Sequence, residues 1–214
     1  MPDKTIALML GSARTSGNAR GLAAWLTSIL DKQLNANTSG DSHDAFHIVL
    51  VDPTKSPHPL GPVVDGVRMP AMIRDPALYS SPAVREWSAF ISSCSAVVVL
   101  TPQYNWGVPG ELKNSFDHLY WEWRDKPVLI VTYGGHGGSK CAAQLKDILE
   151  GGLKMPVVEQ PILITLPVEY IRADHRVPTD APPPDFLQSY QEAVENAAQE
   201  LKQLLSAPAK AVEH

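Results

Sequence analysis

The chain has 214 residues, 44% hydrophobic and 19% charged, with a net charge of −5. That is enough apolar material for one substantial core, which excludes a disordered chain, and the acidic balance gives no electrostatic reason to bind nucleic acid or an anionic membrane. The two cysteines, Cys94 and Cys141, sit in no CxxC or CxxH spacing, so neither a metal site nor a disulfide framework has support and a reducing, cytoplasmic setting is expected.

Short apolar runs then alternate with amphipathic stretches. Thr5–Leu10 reads as a buried strand; it is too short for a membrane span or for a signal-peptide core with its cleavage site. Asn18–Leu34 carries Leu22, Ala23, Leu26, Ile29 and Leu30 at helical spacing. Phe46–Val51 is the second strand. Residues 52–80 hold six prolines and little periodicity; they read either as a functional or oligomer-facing loop or as a plain surface excursion. Ser81–Ser93 is a second helix with Pro82 at its first position. Ala96–Leu100 and Pro127–Thr132 are the third and fourth strands, flanking a short helix at Pro109–Leu119. Ser139–Leu149 is a helix ended by Gly151 and Gly152, and Val157–Leu166 contains the fifth strand. Asp185–Leu205 closes the chain as an amphipathic helix. One domain over residues 1–205 with a frayed tail at 206–214 is expected.

Five continuous apolar strands separated by helices predict a parallel sheet covered on both faces, an α/β three-layer sandwich. Five strands suit the flavodoxin-like order 2-1-3-4-5 better than a six-stranded dinucleotide fold, although periodicity does not itself give strand order. In such sheets ligands bind outside the carboxyl ends of the strands, which directs attention to three loops.

After the first strand come Gly11, Ser12, Ala13, Arg14, Thr15, Ser16, Gly17 and Asn18. Hydroxyls, one cation and a following helix N-terminus suit a phosphomonoester, with Ser12, Arg14, Ser16 and Asn18 as candidates. The spacing is neither GxGxxG nor GxxxxGK[ST], and an ordinary turn capped by Ser16 or Asn18 is the competing reading. After the third strand come Pro102, Gln103, Tyr104, Asn105 and Trp106, whose flat rings and amide edges suit a planar heterocycle with polar rims; loop anchoring by Tyr104 and Trp106 is the alternative. After the fourth come Tyr133, Gly134, Gly135 and His136, where bare backbone can approach a ring edge, or simply turn.

These motifs, with Pro109–Asp117 and Glu122–Val128, resemble the NADPH-dependent FMN reductase family of flavodoxin-like proteins from Thr5 to about Pro167. The resemblance implies FMN as cofactor, NADPH or NADH as reductant, and a small-molecule electron acceptor such as a quinone, flavin, azo compound or metal oxyanion. It also implies a homodimer or homotetramer, with Ser12 and Arg14 at the phosphate, Pro102 to Asn105 bordering the ring, and Gly134, Gly135 and His136 at its pyrimidine side. Gly17 departs from the family's side-chain-bearing position, and Gln103 stands where Glu is common. No catalytic side chain is required, because the cofactor carries the chemistry. An electron carrier or sensor module, and a non-catalytic interaction protein, are the other readings. Trp121 and Trp123 are expected at an interface or a site rim, Lys113 and Asp117 as an i,i+4 pair, and Arg20, Lys140 and Arg172 as solvated cations rather than a 2′-phosphate site.

Overall fold

The computed structural model describes residues 4–36, 45–58, 67–172 and 174–207. The elements in chain order are β1 (Lys4–Leu10), α1 (Ala19–Leu34), β2 (Phe46–Val51), α2 (Pro82–Ser93), β3 (Cys94–Pro102), α3 (Gly110–Asp117), β4 (Val128–Gly134), α4 (Ser139–Lys146), β5 (Ile162–Thr165), α5 (Val168–Arg172) and α6 (Gln188–Ser206). The strands form one sheet in the order β2-β1-β3-β4-β5 with every pairing parallel, as the sequence predicts. Among the described residues no helix is long and apolar enough to cross a membrane.

The continuous apolar strands follow from burial on both faces. Along β1 and β3, Ile6, Leu8, Leu10, Ala96, Val98 and Leu100 pack beneath α1 and α6. The alternating residues Ala7, Met9, Val97 and Val99 pack beneath α2 and α3. The edge strand β2 differs: Val49 and Leu50 remain 40% and 44% exposed.

The interface or rim expected of the two tryptophans fails for Trp123. It is wholly buried, with its ring edge-on to Phe116 at 5.3 Å and to Trp87 at 5.9 Å. Its indole N–H donates to the Phe116 carbonyl at 3.2 Å, which satisfies the polar end of a buried ring. The turn after α3 buries this ring and leaves Trp121 half-buried, with the Arg74 guanidinium 3.8 Å from its centroid. Lys113 and Asp117 do pair within α3, at 2.6 Å.

Several boundaries moved by one or more residues, those of β3, β4 and the helix from Ser139 among them. β3 runs to Pro102 because Thr101 and Pro102 stay in register with Thr132 and Tyr133 of β4. The helix from Ser139 widens at Asp147 into a π-helical turn that ends at Gly152. α5 has no periodicity to predict it, being five residues long. In residues 52–80, short 3-10 turns occupy Pro70–Met72 and Pro76–Leu78; residues 59–66 and the tail from 208 lie outside the described residues.

The segment after β5 returns to α1 and is latched there by one side chain. Asn18 Nδ2 donates to the Tyr170 carbonyl at 2.8 Å, and its Oδ1 accepts the Val177 N–H at 3.0 Å. The close approach needs Gly21, where a Cβ would meet the Val177 carbonyl oxygen at 1.9 Å.

Two stability outcomes are expected from denaturant titration. Leu8→Ala, at a fully buried site, lowers stability by about 2–5 kcal/mol, whereas Val49→Ala on the exposed edge stays within about 0.5 kcal/mol. Asn18→Ala orphans a donor and an acceptor and costs about 1–3 kcal/mol, and hydrogen exchange at the Val177 amide accelerates well before global unfolding.

Candidate functional site

The loops that follow β1, β3 and β4 meet at one edge of the sheet around a cleft of about 340 Å³. Ser12, Arg14, Ser16 and Asn18 line one end; Pro102, Gln103, Tyr104, Tyr133, Gly134 and Gly135 line the rest. Ten of the thirteen candidates are therefore brought together. Asn105, Trp106 and His136 are exposed and do not line it.

Ser12 is buried, its Oγ 2.5 Å from the Tyr104 hydroxyl and accepting the Arg14 N–H at 3.2 Å. The Arg14 guanidinium lies 4.6 Å from the centroid of the Tyr104 ring and has no carboxylate partner among the described residues. Its fork of donors is thus available to an anion. One loop donor is already taken, since Ala13 N–H reaches Glu111 Oε1 at 3.2 Å. Asn18 stands at the N-cap position of α1 without capping it; both ends of its amide serve the latch.

Tyr104 and Gly107 exchange backbone hydrogen bonds of 3.1 and 2.8 Å, closing a two-residue turn. Asn105 and Trp106 occupy it at φ 46° and 69°. Asparagine tolerates this region, but a tryptophan there costs on the order of 1–3 kcal/mol. The turn holds the Trp106 ring 69% exposed, with Lys140 Nζ at 5.8 Å from its centroid. Of the other cations, Arg20 is paired with Asp52 at 2.5 Å, and Arg172 ends α5.

At the end of β4, the position a Gly134 side chain would occupy is empty to 4 Å, so bare backbone borders the cleft. The loop ends at Gly138 (φ 79°), where a Cβ would lie 2.8 Å from Thr132 Cβ. Tyr133 is pushed up by burial first and by Tyr104 second, against the lowering effect of Arg14; it remains a neutral phenol. Burial pushes the Cys141 thiol up to about 12, so this neighbour of the cleft is no thiolate at neutral pH.

Five lining residues were not expected: Gly17, Leu166, Tyr170, Ile171 and Arg176. Most follow β5, which pairs with β4 through Tyr133 and Gly134, and Leu166 N–H binds the Gly134 carbonyl at 2.9 Å. The strand-end rule, extended to the fifth strand, finds Leu166 and α5. Arg176 carries no local signal; it reaches back so that its Nε donates to the Ser16 carbonyl at 2.6 Å.

The donor set fits a flavin mononucleotide. One end offers an unpartnered guanidinium and hydroxyls, and the other an amide and side-chain-free backbone. No carboxylate lines the space between. Among the described residues no group of three or more His, Cys, Asp or Glu side chains could hold a metal ion.

Known proteins resemble this chain in sequence and in fold. The family described as NADPH-dependent FMN reductase matches residues 4–165. The NAD(P)H-dependent FMN reductase LOT6 of Saccharomyces cerevisiae is 37% identical over 153 residues, 72% of this chain and 76% of that one. The NAD(P)H-dependent FMN reductase C4B3.06c of Schizosaccharomyces pombe is 37% identical over 166 residues, 78% of this chain and 75% of its own. Among solved structures, the flavoenzyme NAD(P)H:(acceptor) oxidoreductase FerB of Paracoccus denitrificans superposes with a TM-score of 0.63 at 20% identity, covering 95% of this chain and 97% of that one, a likeness of fold. The chain belongs to the NADPH-dependent FMN reductase family, and it is an oxidoreductase that depends on FMN and NAD(P)H.

Proposed function

We propose that the protein passes reducing equivalents from NADH or NADPH to small acceptors (quinones, free flavins, azo compounds or metal oxyanions), in the cytoplasm and as a homodimer or homotetramer. The observation that carries this reading is the cleft itself, with the Arg14 guanidinium at one end and bare glycine backbone at the other, joined by a partly aromatic lining that holds no carboxylate. FMN, when bound, supplies the two-electron carrier between the reductant and the acceptor. Everything else falls to the protein. Arg14, Ser12 and Ser16 hold the phosphate, the first by paired charge-assisted hydrogen bonds. Gly134 and Gly135 let the backbone approach the ring edge. Tyr104 and Ile171 flank the space that the reductant and the acceptor occupy in turn. Tyr133, kept neutral by burial, excludes water without introducing charge.

No side chain here serves as nucleophile or general base. Cys94 and Cys141 are both buried with raised thiol pKa values, and iodoacetamide at neutral pH is expected to leave turnover unchanged. Proportional loss of activity with alkylation would contradict this.

Arg14→Ala is expected to weaken FMN binding about 10–100-fold, the loss of one or two hydrogen bonds to a charged group, with an unchanged denaturation midpoint. Flavin fluorescence titration measures it. Retained flavin absorbance that bleaches anaerobically with NADPH and recovers on adding a quinone supports the reductase reading. A bound flavin that neither NADPH nor NADH bleaches supports a carrier or sensor instead.

A further inference from the structure

We propose that Gln103 is a hydrogen-bond donor to the bound flavin ring and holds its reduction potential higher than a carboxylate at the same position would; the proposal rests on the FMN reading above. The orientation of this amide follows from chemistry. The backbone N–H of Cys141, third residue of α4, donates to one end of the Gln103 side chain at 3.0 Å. An amide nitrogen cannot accept, so that end is Oε1. The contact also has a structural reason. α4 begins after Gly138, which has no side chain to cap the first-turn N–H groups, and Gln103 supplies the acceptor from the neighbouring loop.

With Oε1 held, the other end of the amide is assigned as well. Nε2 makes no hydrogen bond among the described residues, and Gln103 lines the cleft. The loop is fixed on its far side too, since Gln103 N–H binds the Tyr133 carbonyl at 3.3 Å. A residue that lines the cleft thus keeps a pair of neutral donors unspent, with no carboxylate among the residues lining the cleft beside it. Reduction by a hydride adds two electrons and one proton, leaving a net negative charge on the ring system. Fixed donors favour the form in which negative charge has developed. A carboxylate in the same place would accept the Cys141 N–H equally well and be favoured by the helix N-terminus, yet would oppose that charge.

The test measures the anaerobic two-electron midpoint potential of the FMN-loaded protein against a reference dye, for the unsubstituted chain, Gln103→Glu and Gln103→Met. FMN affinity and the melting temperature of the flavin-free protein are measured alongside. Gln103→Glu keeps the acceptor for Cys141 at a helix N-terminus, so the flavin-free melting temperature does not fall. Its ratio of reduced to oxidised FMN affinity falls about tenfold, a shift of about 30 mV to more negative potential. Gln103→Met removes the donors without adding charge and shifts the potential the same way by less, with a lower melting temperature from the lost cap. A Gln103→Glu potential equal to or above that of the unsubstituted protein overturns the proposal. So does a fall in Gln103→Glu with none in Gln103→Met, since charge alone would then account for it. Failure of the unsubstituted protein to bind FMN overturns the reading of the cleft, and this proposal with it.

Discussion

The middle strands β1, β3 and β4 are hydrogen-bonded to neighbours along both edges and covered by helices on both faces. Nothing polar fits along their length without a large desolvation cost, so polar chemistry is confined to their ends. Parallel pairing places all the carboxyl ends on one side. The loops there begin where ladder hydrogen bonds stop, leaving backbone N–H groups unspent. The location of the cleft is thus set by the core rather than by the cleft residues, which can vary while the sheet stays fixed.

Upon that frame, each loop is held by a contact outside itself. The β3 loop is joined to α4 through the Gln103 amide and to the β1 loop through the Ser12 and Tyr104 hydroxyls. The β1 loop is held from behind by Arg176 at the Ser16 carbonyl. Preorganisation of this kind lowers the ordering cost of binding a phosphate and a ring together. The turn at Asn105 and Trp106 is held from α4 as well, where Gln144 Nε2 donates to the Trp106 carbonyl at 3.3 Å and Gln144 Oε1 accepts the Val108 N–H at 3.4 Å; only the indole ring of Trp106 stands exposed.

The strand number, the parallel sheet and the loop sites were legible because they depend on local signals: apolar runs, helix periods, and glycine or hydroxyl clusters at strand ends; the strand order leaned on the loop motifs instead. Phe46–Val51 has the predicted limits, and ten candidates converge. What was not legible depends on contacts between distant segments. Trp123 looked like a surface residue because its partners, Trp87 and Phe116, are brought to it by tertiary packing. Arg176 lies in a stretch without periodicity and reaches the cleft only because Gly21 admits the chain over α1. Asn18 reads in sequence as a cap or a phosphate ligand, and its amide is instead occupied by backbone groups more than 150 residues later.

The Asn18 latch has a consequence for synthesis. Its two partners lie 152 and 159 residues downstream, so the β1 loop emerges from the ribosome long before the groups that shape it. At translation speeds of about 5–20 residues per second, the interval is about 8–30 seconds. A nascent chain halted just before Val177 has the β1 loop, all five strands and Tyr170, but lacks the second of the two groups that hold Asn18. The β1 loop therefore reaches its latched form only after Val177 has been made.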